Sequence, residues 1–454
     1  MHVLTEFSAE SLTVFDDIST SKGRTTANIS FAKALLENTT QHDLTVTLLL
    51  TPPRPIAHHQ PSDRSQERLE KFFGRSFDSV ILPELPELLK RKPVDVLHRS
   101  DPNIQRSLYV RNNLSEYPFV ITGVTHSLGH GMFHEWLLPT LYGRPQPCDR
   151  IICTSPTGEA VLNSMIASAR FDFLDPPELK TALIPLGIFV EEFTGTQESV
   201  RSEYGLPASA VVVLSLGRLS YLTKADLLPL LAVFKEVVQR TPAHACLILA
   251  GATGPENYSD LLRNAIGEHE LTERVIVIEN PSEKLKHRLY ASSDIFVSLS
   301  DNPQETFGLT LLEAAAAGLS VIASDWDGYR SLINDGKTGF LIPTIGLEDC
   351  PVLASTAPLR HDATNHFLFS QSISTDSEIL TQRLVQLIQN PERRHELGRA
   401  ARRHAAQFDW KRVIAQYVQL WTELIDEKRK CVRIPGRPPT LNFWRTFDRI
   451  LAAF

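Results

Sequence analysis

Apolar and polar positions fall into two regimes along the 454-residue chain. In the second half, short continuous apolar runs recur at residues 211–217 (VVVLSLG), 245–251 (ACLILAG), 274–280 (RVIVIEN), 294–300 (DIFVSLS) and 319–325 (LSVIASD). Amphipathic stretches at 227–240, 258–269, 282–292 and 309–317 separate them. A strand that is apolar on both faces has helices on both sides, so this alternation predicts βαβ units around a parallel sheet. The first half shows a weaker version of the pattern. Its expected strands are 45–50, 79–82, 94–98, 119–122, 150–154 and 182–185, with a helix over 26–37 entered from a polar loop at 19–25. The polar stretch 193–205 (FTGTQESVRSEYG) marks the junction between the halves.

Two segments stand outside this alternation. Residues 352–377, rich in Ser, Thr and His, read as a loop or insertion, after which 379–389, 391–407 and 410–426 read as helices. The tail from Lys428 is basic and proline-rich. In it Leu441, Trp444, Phe447, Leu451 and Phe454 recur at helical spacing beside Arg445 and Arg449. Such a face is a candidate for peripheral contact with an anionic membrane, although packing on the protein's own surface is the commoner use.

Length changes the picture first: 454 residues exceed one ordinary core and fit two domains. A composition of 42% hydrophobic and 22% charged residues is that of a globular protein, and a formal net charge of −7 argues against nucleic acid as a partner. The five cysteines (Cys148, Cys153, Cys246, Cys350 and Cys431) include no CxxC pair, and the N-terminus carries acids rather than a basic leader. With no apolar run of membrane-spanning length, a cytoplasmic location is expected, with membrane association open through the tail.

The candidate chemistry sits where apolar runs end. The run 294–300 leads into a polar loop and then Glu305-Thr-Phe-Gly-Leu-Thr-Leu-Leu-Glu313. Gly308 permits close backbone approach, and the amides of Phe307, Gly308, Leu309 and Thr310 form a helix amino end suited to phosphate. Glu305 precedes the helix, and Glu313 lies within it, where a carboxylate can accept from a diol. After the run 211–217 come Gly217, Arg218 and, six residues on, Lys224, two cations that can neutralise a diphosphate. Individually these are ordinary residues: a glutamate at a helix start complements the dipole, and most loop cations are solvated. Their convergence at strand carboxyl ends of one sheet favours a site.

SLGRLSYLTK followed by ETFGLTLLEAAAAGLSVIASD resembles glycosyltransferase family 4, the retaining glycosyl transferases group 1. The likeness is specific over 206–343 and extends through Asp335-Gly336 and Thr338–Pro343. It implies the α/β GT-B fold: two Rossmann-like domains whose parallel sheets face each other across a cleft. It divides the chain into an acceptor-side domain (1–195), a nucleotide-sugar domain (196–408) and a crossover helix with tail (409–454) that returns to the first domain. Phe408, Trp410 and Trp421 are then core anchors. The resemblance implies that Arg218 and Lys224 bind the donor diphosphate, that Glu305 and the Phe307–Leu309 backbone meet the donor sugar, and that Glu313 binds ribose. His126, after the run PFVIT, matches the family's cleft histidine. His98 is a second cleft candidate, and His130 and His134 read as loop histidines. Gly23, flanked by Lys22 and Arg24, stands where the family has a glycine-rich loop.

The chain departs from the pattern in having one glycine in that loop, no acid after Ile184-Pro-Leu-Gly187, and Asp327-Gly-Tyr-Arg330 in place of Gly-Gly…Pro-Glu. The resemblance implies no metal and no cofactor, the nucleotide sugar being a substrate; Asp325-Trp-Asp327 has DxD spacing without a metal-site context. The expected partners are a UDP-sugar, or second GDP-mannose, and a glycan, lipid-linked or small-molecule acceptor. The alternatives are a sugar-nucleotide epimerase or phosphorolytic enzyme of the same fold, and a catalytically silent GT-B binding subunit.

Overall fold

The computed structural model describes residues 1–8, 23–51, 63–115, 118–128, 133–170, 177–194, 199–241, 244–254, 256–303, 305–347 and 350–430. The first sheet comprises β1 (His2–Ser8), β2 (Thr45–Thr51), β3 (Asp78–Ile81), β4 (Val96–Arg99), β5 (Val120–Val124), β6 (Arg150–Cys153) and β7 (Lys180–Leu183). Its order is β3-β2-β1-β4-β5-β6-β7 with every pairing parallel. The second contains β8 (Val211–Leu216), β9 (Ala245–Gly251), β10 (Val275–Glu279), β11 (Ile295–Ser298), β12 (Ser320–Ser324) and β13 (Gly339–Ile342), in the parallel order β10-β9-β8-β11-β12-β13. Every residue of β8, β9, β11 and β12 is buried, as expected of strands covered on both faces.

Each sheet reverses its winding once, between β1 and β4 and between β8 and β11. Ligands of open α/β sheets bind outside the strand carboxyl ends at such points. The final helix, Trp410–Lys428, leaves the second domain and buries Trp410, Val413, Ile414, Tyr417 and Trp421 in the core of the first sheet, with Val3, Val120 and Ile152. The fold is therefore the expected pair of Rossmann-like domains with a helix crossing back.

Several expectations need correction. Strand β1 was absent from the expected set because His2, Thr5 and Glu6 interrupt its apolar pattern. His2 pairs with Pro93 O at 3.0 Å and Thr47 Oγ1 at 2.9 Å, and Glu6 with Arg99 at 2.8 Å, which lets the strand carry them. The helix expected at residue 26 begins earlier, at Gly23, so Gly23 opens a helix rather than lying in a loop before one. Residues 352–377 are not a loop. The hairpin strands β14 (Thr344–Ile345) and β15 (Ser374–Thr375) enclose two helices, Pro351–Thr356 and Asp362–Ser370. The amphipathic tail residues 441–454 and His130 lie outside the described residues. No described helix is long and apolar enough to cross a membrane.

Candidate donor site

The site grows from the β8/β11 reversal. Strand β8 ends at Leu216, and Gly217 and Arg218 follow directly. A side chain on Gly251 would strike the Gly217 carbonyl, so the small residue at the end of β9 lets the β8 loop lie flat. The loop then turns back and is strapped to the loop after β11. Lys224 Nζ pairs with Glu305, Asn302 Nδ2 donates to Leu222 O at 3.2 Å, and the Asp226 amide donates to Asp301 Oδ2 at 3.3 Å. The Ser300 hydroxyl adds a contact to Lys224 O at 3.4 Å. Arg218 is braced within its own loop, donating to Thr223 Oγ1 at 2.9 Å and Thr223 O at 3.0 Å. Both cations are thus fixed before any ligand arrives.

Electrostatics follow from the packing. Burial pulls the Arg218 pKa below its ordinary value, against the charges of Glu305 and Glu256. For Lys224 burial acts in the same direction, but the charge and hydrogen bond of Glu305, together with Tyr329, outweigh it and hold the ammonium above the usual lysine value. Two carboxyls nearby go the other way. Burial pushes Asp301 up to about 7 despite the amide bond from Asp226. Burial and then the charge of Glu305 push Asp327 up to about 7, with Arg330 opposing.

The helix Leu309–Ala317 supplies the anion-binding end. Its N-cap is Gly308 at φ 111°, and no side chain caps it, so the first-turn amides are offered outward. Phe307 gives only its backbone to this end, since its side chain is buried against Phe408. Among the described residues, Thr310 Oγ1 and Asp301 Oδ1 are buried without hydrogen-bond partners. Glu313, also buried, accepts from the Tyr290 hydroxyl at 2.7 Å.

Across the cleft, His126 follows β5. Its ring meets Ser100 O at 3.2 Å, and its carbonyl accepts from Thr306, the neighbour of Glu305. Burial, with Arg24 nearby, pushes its pKa down to about 4 and keeps the imidazole neutral. The second domain also touches the first where Thr157 donates to Asp327 O at 3.2 Å.

Arg218, Lys224, Glu305, Gly217, Phe307, Gly308 and Leu309 therefore gather at one reversal point, with His126 opposite. Glu313 lies one turn deeper, and Gly23 lies on the first-domain side, next to Arg24, which pairs with Asp101 at 3.2 Å. His98 is not a cleft residue. It lies buried on β4 itself, bonded to Thr122 at 2.9 Å and packed on Phe31, Tyr417 and Trp421. Strand β4 runs one residue further than expected, and the residue that reaches the cleft end is Arg99. Sequence reasoning also passed over Asp301, Asn302, Thr306 and Tyr329. The first two lie in the polar loop it marked, but Tyr329 lies where the family pattern breaks.

Two Rossmann-like domains, a returning last helix and a cationic site at the second sheet's reversal define the GT-B class. Residues 196–345 match the family model described as "Glycosyl transferases group 1". Phosphatidyl-myo-inositol mannosyltransferase of Mycobacterium tuberculosis is 26% identical over 330 residues, 72% of this chain and 73% of that protein. D-inositol 3-phosphate glycosyltransferase of Thermobispora bispora is 27% identical over 265 residues, 57% of this chain and 54% of that one. Sucrose-phosphate synthase from Thermosynechococcus elongatus superposes with a TM-score of 0.60 at 18% identity, covering 94% of this chain and 100% of that chain. The Anabaena HepE structure with UDP and glucose gives 0.60 at 15% identity, covering 93% and 100%. At such identities the solved structures establish the fold alone. Residues 196–345 thus resemble the glycosyl transferases group 1, and the curated relatives extend the likeness over more of the chain.

Proposed function

We propose that this glycosyltransferase moves a sugar from a nucleotide-diphosphate sugar to an acceptor hydroxyl with retention of anomeric configuration and without a metal. The observation that carries the reading is the convergence of Arg218, Lys224 and the uncapped amino end of Leu309–Ala317 at the β8/β11 reversal. Three sources of positive potential there suit a diphosphate whose charge grows as the glycosidic bond breaks. Glu305 and His126 flank the sugar, and Glu313 takes the ribose diol. The bond from the anomeric carbon to the phosphate oxygen breaks, the acceptor oxygen bonds to the same face, and the departing phosphate takes the acceptor's proton. UDP-sugar is the preferred donor and GDP-mannose the second. The acceptor is a glycan, lipid-linked or small-molecule hydroxyl bound on the first-domain side.

Product analysis with UDP-glucose and GDP-mannose tests this, the expected products being free nucleoside diphosphate and an α-linked glycoside, formed equally in EDTA. An inverted product, or activity that EDTA abolishes, would refute the corresponding part. Arg218→Ala should lower kcat by about 10²–10³-fold with the fold retained. Wild-type turnover in that variant would move the leaving-group site elsewhere.

A further inference from the structure

Tyr329 occupies an unusual place for a loop tyrosine. It lies in the short 3-10 turn Asp327–Ser331 after β12 and is wholly buried. The turn is drawn against the β11 loop: the Gly328 amide donates to Glu305 O at 3.2 Å, and a side chain on Gly328 would strike the Thr306 carbonyl. This delivers the ring to the floor of the phosphate site. A Cβ on Gly308 would lie 2.5 Å from Tyr329 Cε1 and 2.7 Å from Cδ1, so the ring fills the space that glycine leaves.

The hydroxyl has two neighbours, Lys224 Nζ at 3.4 Å and Ser298 Oγ at 2.7 Å. An ammonium only donates, so the phenol accepts from Lys224 and shares a second hydrogen bond with the hydroxyl of Ser298, the last residue of β11. Burial, and after it the charge of Glu305, pushes the phenol up to about 12, so it stays protonated beside the ammonium. The ring also lies 5.9 Å from the ammonium, within reach of a cation–π contact. Glu305 and Tyr329 together take two of the three ammonium N–H groups and leave the third for a phosphate oxygen.

We propose that Tyr329 is a positioning residue for donor binding, its hydroxyl aiming Lys224 at the phosphate and its ring setting the floor beneath Gly308. This rests on the reading of Lys224 as a diphosphate ligand, and the test separates the two. Titration calorimetry of the wild-type chain with UDP and with GDP comes first; a chain that binds neither overturns the diphosphate reading itself. With the nucleotide that binds, Tyr329→Phe keeps the ring and removes the hydroxyl. Its affinity should fall about tenfold, the loss of one hydrogen bond to a charged group. In a Lys224→Met background the same change should cost almost nothing, because the group it aims has gone. Equal losses in both backgrounds, or no loss in either, would overturn the proposal and leave Tyr329 as packing. Ser298→Ala reads the same relay from its far end and should lower affinity in the wild-type background only, which keeps the test intact if Tyr329→Phe folds poorly.

Discussion

Residue identity settles more than residue type in the first domain. His98 and His126 stand on neighbouring parallel strands or just beyond them, yet one is core and the other faces the second domain. Burial, with smaller contributions from His126 and Arg99, pushes His98 down to about 3, against about 6.5 for an unfolded histidine. Between those values the unfolded chain binds the extra proton, so the stability this residue permits is present above pH 6.5 and is lost as pH falls. The loss is about 1.4 kcal/mol per pH unit. His98→Gln retains a hydrogen-bonding partner for Thr122 and removes the titration. The stability advantage of wild type over this variant should therefore shrink by about 2 kcal/mol between pH 6.5 and pH 5, read as urea midpoints at each pH. A difference that stays constant with pH would mean that the imidazole is protonated in place. The site cations were easier to read than these histidines, since Gly217-Arg218 and Lys224 follow a run too apolar to be anything but a strand. Tyr329 was illegible because its role depends on a turn brought from β12 onto the β11 loop.

At the scale of elements, legibility tracked how completely each element is apolar. Strands β8, β9 and β12 carry no charged or imidazole side chain, their polar residues being serines such as Ser320 and Ser324, whereas β1 is a central strand carrying His2, Thr5 and Glu6. Only tertiary contacts explain why it tolerates them. The insertion is similar: the helix Asp362–Ser370 has a weak pattern but is held by Phe367 against Tyr221 at 5.6 Å and Phe369 against Trp326 at 6.1 Å. A buried ion pair shows the same dependence and yields a stability prediction. Arg111, on the helix Gln105–Leu114, forms a two-pronged bond to Asp149 just before β6, at 2.6 and 2.9 Å, with both side chains essentially unexposed. Asp149 also accepts from the amides of Ile121 at 3.0 Å and Gln146 at 2.7 Å, so one carboxylate ties a helix to two strands. Asp149→Ala strands a buried guanidinium and should cost about 3–5 kcal/mol in urea unfolding. Replacing Arg111 by leucine as well should recover part of that loss. A single variant within 1 kcal/mol of wild type would show that water reaches the pair.

For the whole molecule, the two-domain class was readable from the alternation of runs, but the seating of one domain on the other was not, because it depends on contacts between distant segments. The two chain crossings pair with each other: the Ile188 amide donates to Phe408 O at 2.9 Å, and the Trp410 amide donates to Ile188 O at 3.1 Å. Beside this short ladder Gly187 lies flat under Trp410. A Cβ there would sit 2.5 Å from Cδ2 and 2.6 Å from Cε3 of an indole that is itself buried in the first domain. Gly187 thus sets the spacing between the crossover helix and the linker before β8, and through it the gap that Thr306 and Thr157 close on the cleft side. Gly187→Ala must displace the indole, an overpacking cost of about 1–3 kcal/mol. The proposed diphosphate and ribose ligands Arg218, Lys224 and Glu313 lie within the second domain, so UDP or GDP affinity should stay within about twofold, a change of under 1 kcal/mol. In the proposed reaction His126 faces Glu305 across the cleft, so turnover should fall at least tenfold, since small displacements of reacting groups are expensive. Calorimetric affinity, steady-state kcat and small-angle scattering on the same preparation separate these effects. Loss of affinity and turnover in proportion would show that the substitution damages the second domain instead of the joint. Trp410→Phe combined with Gly187→Ala should restore part of the turnover, because the smaller ring vacates the space the methyl needs.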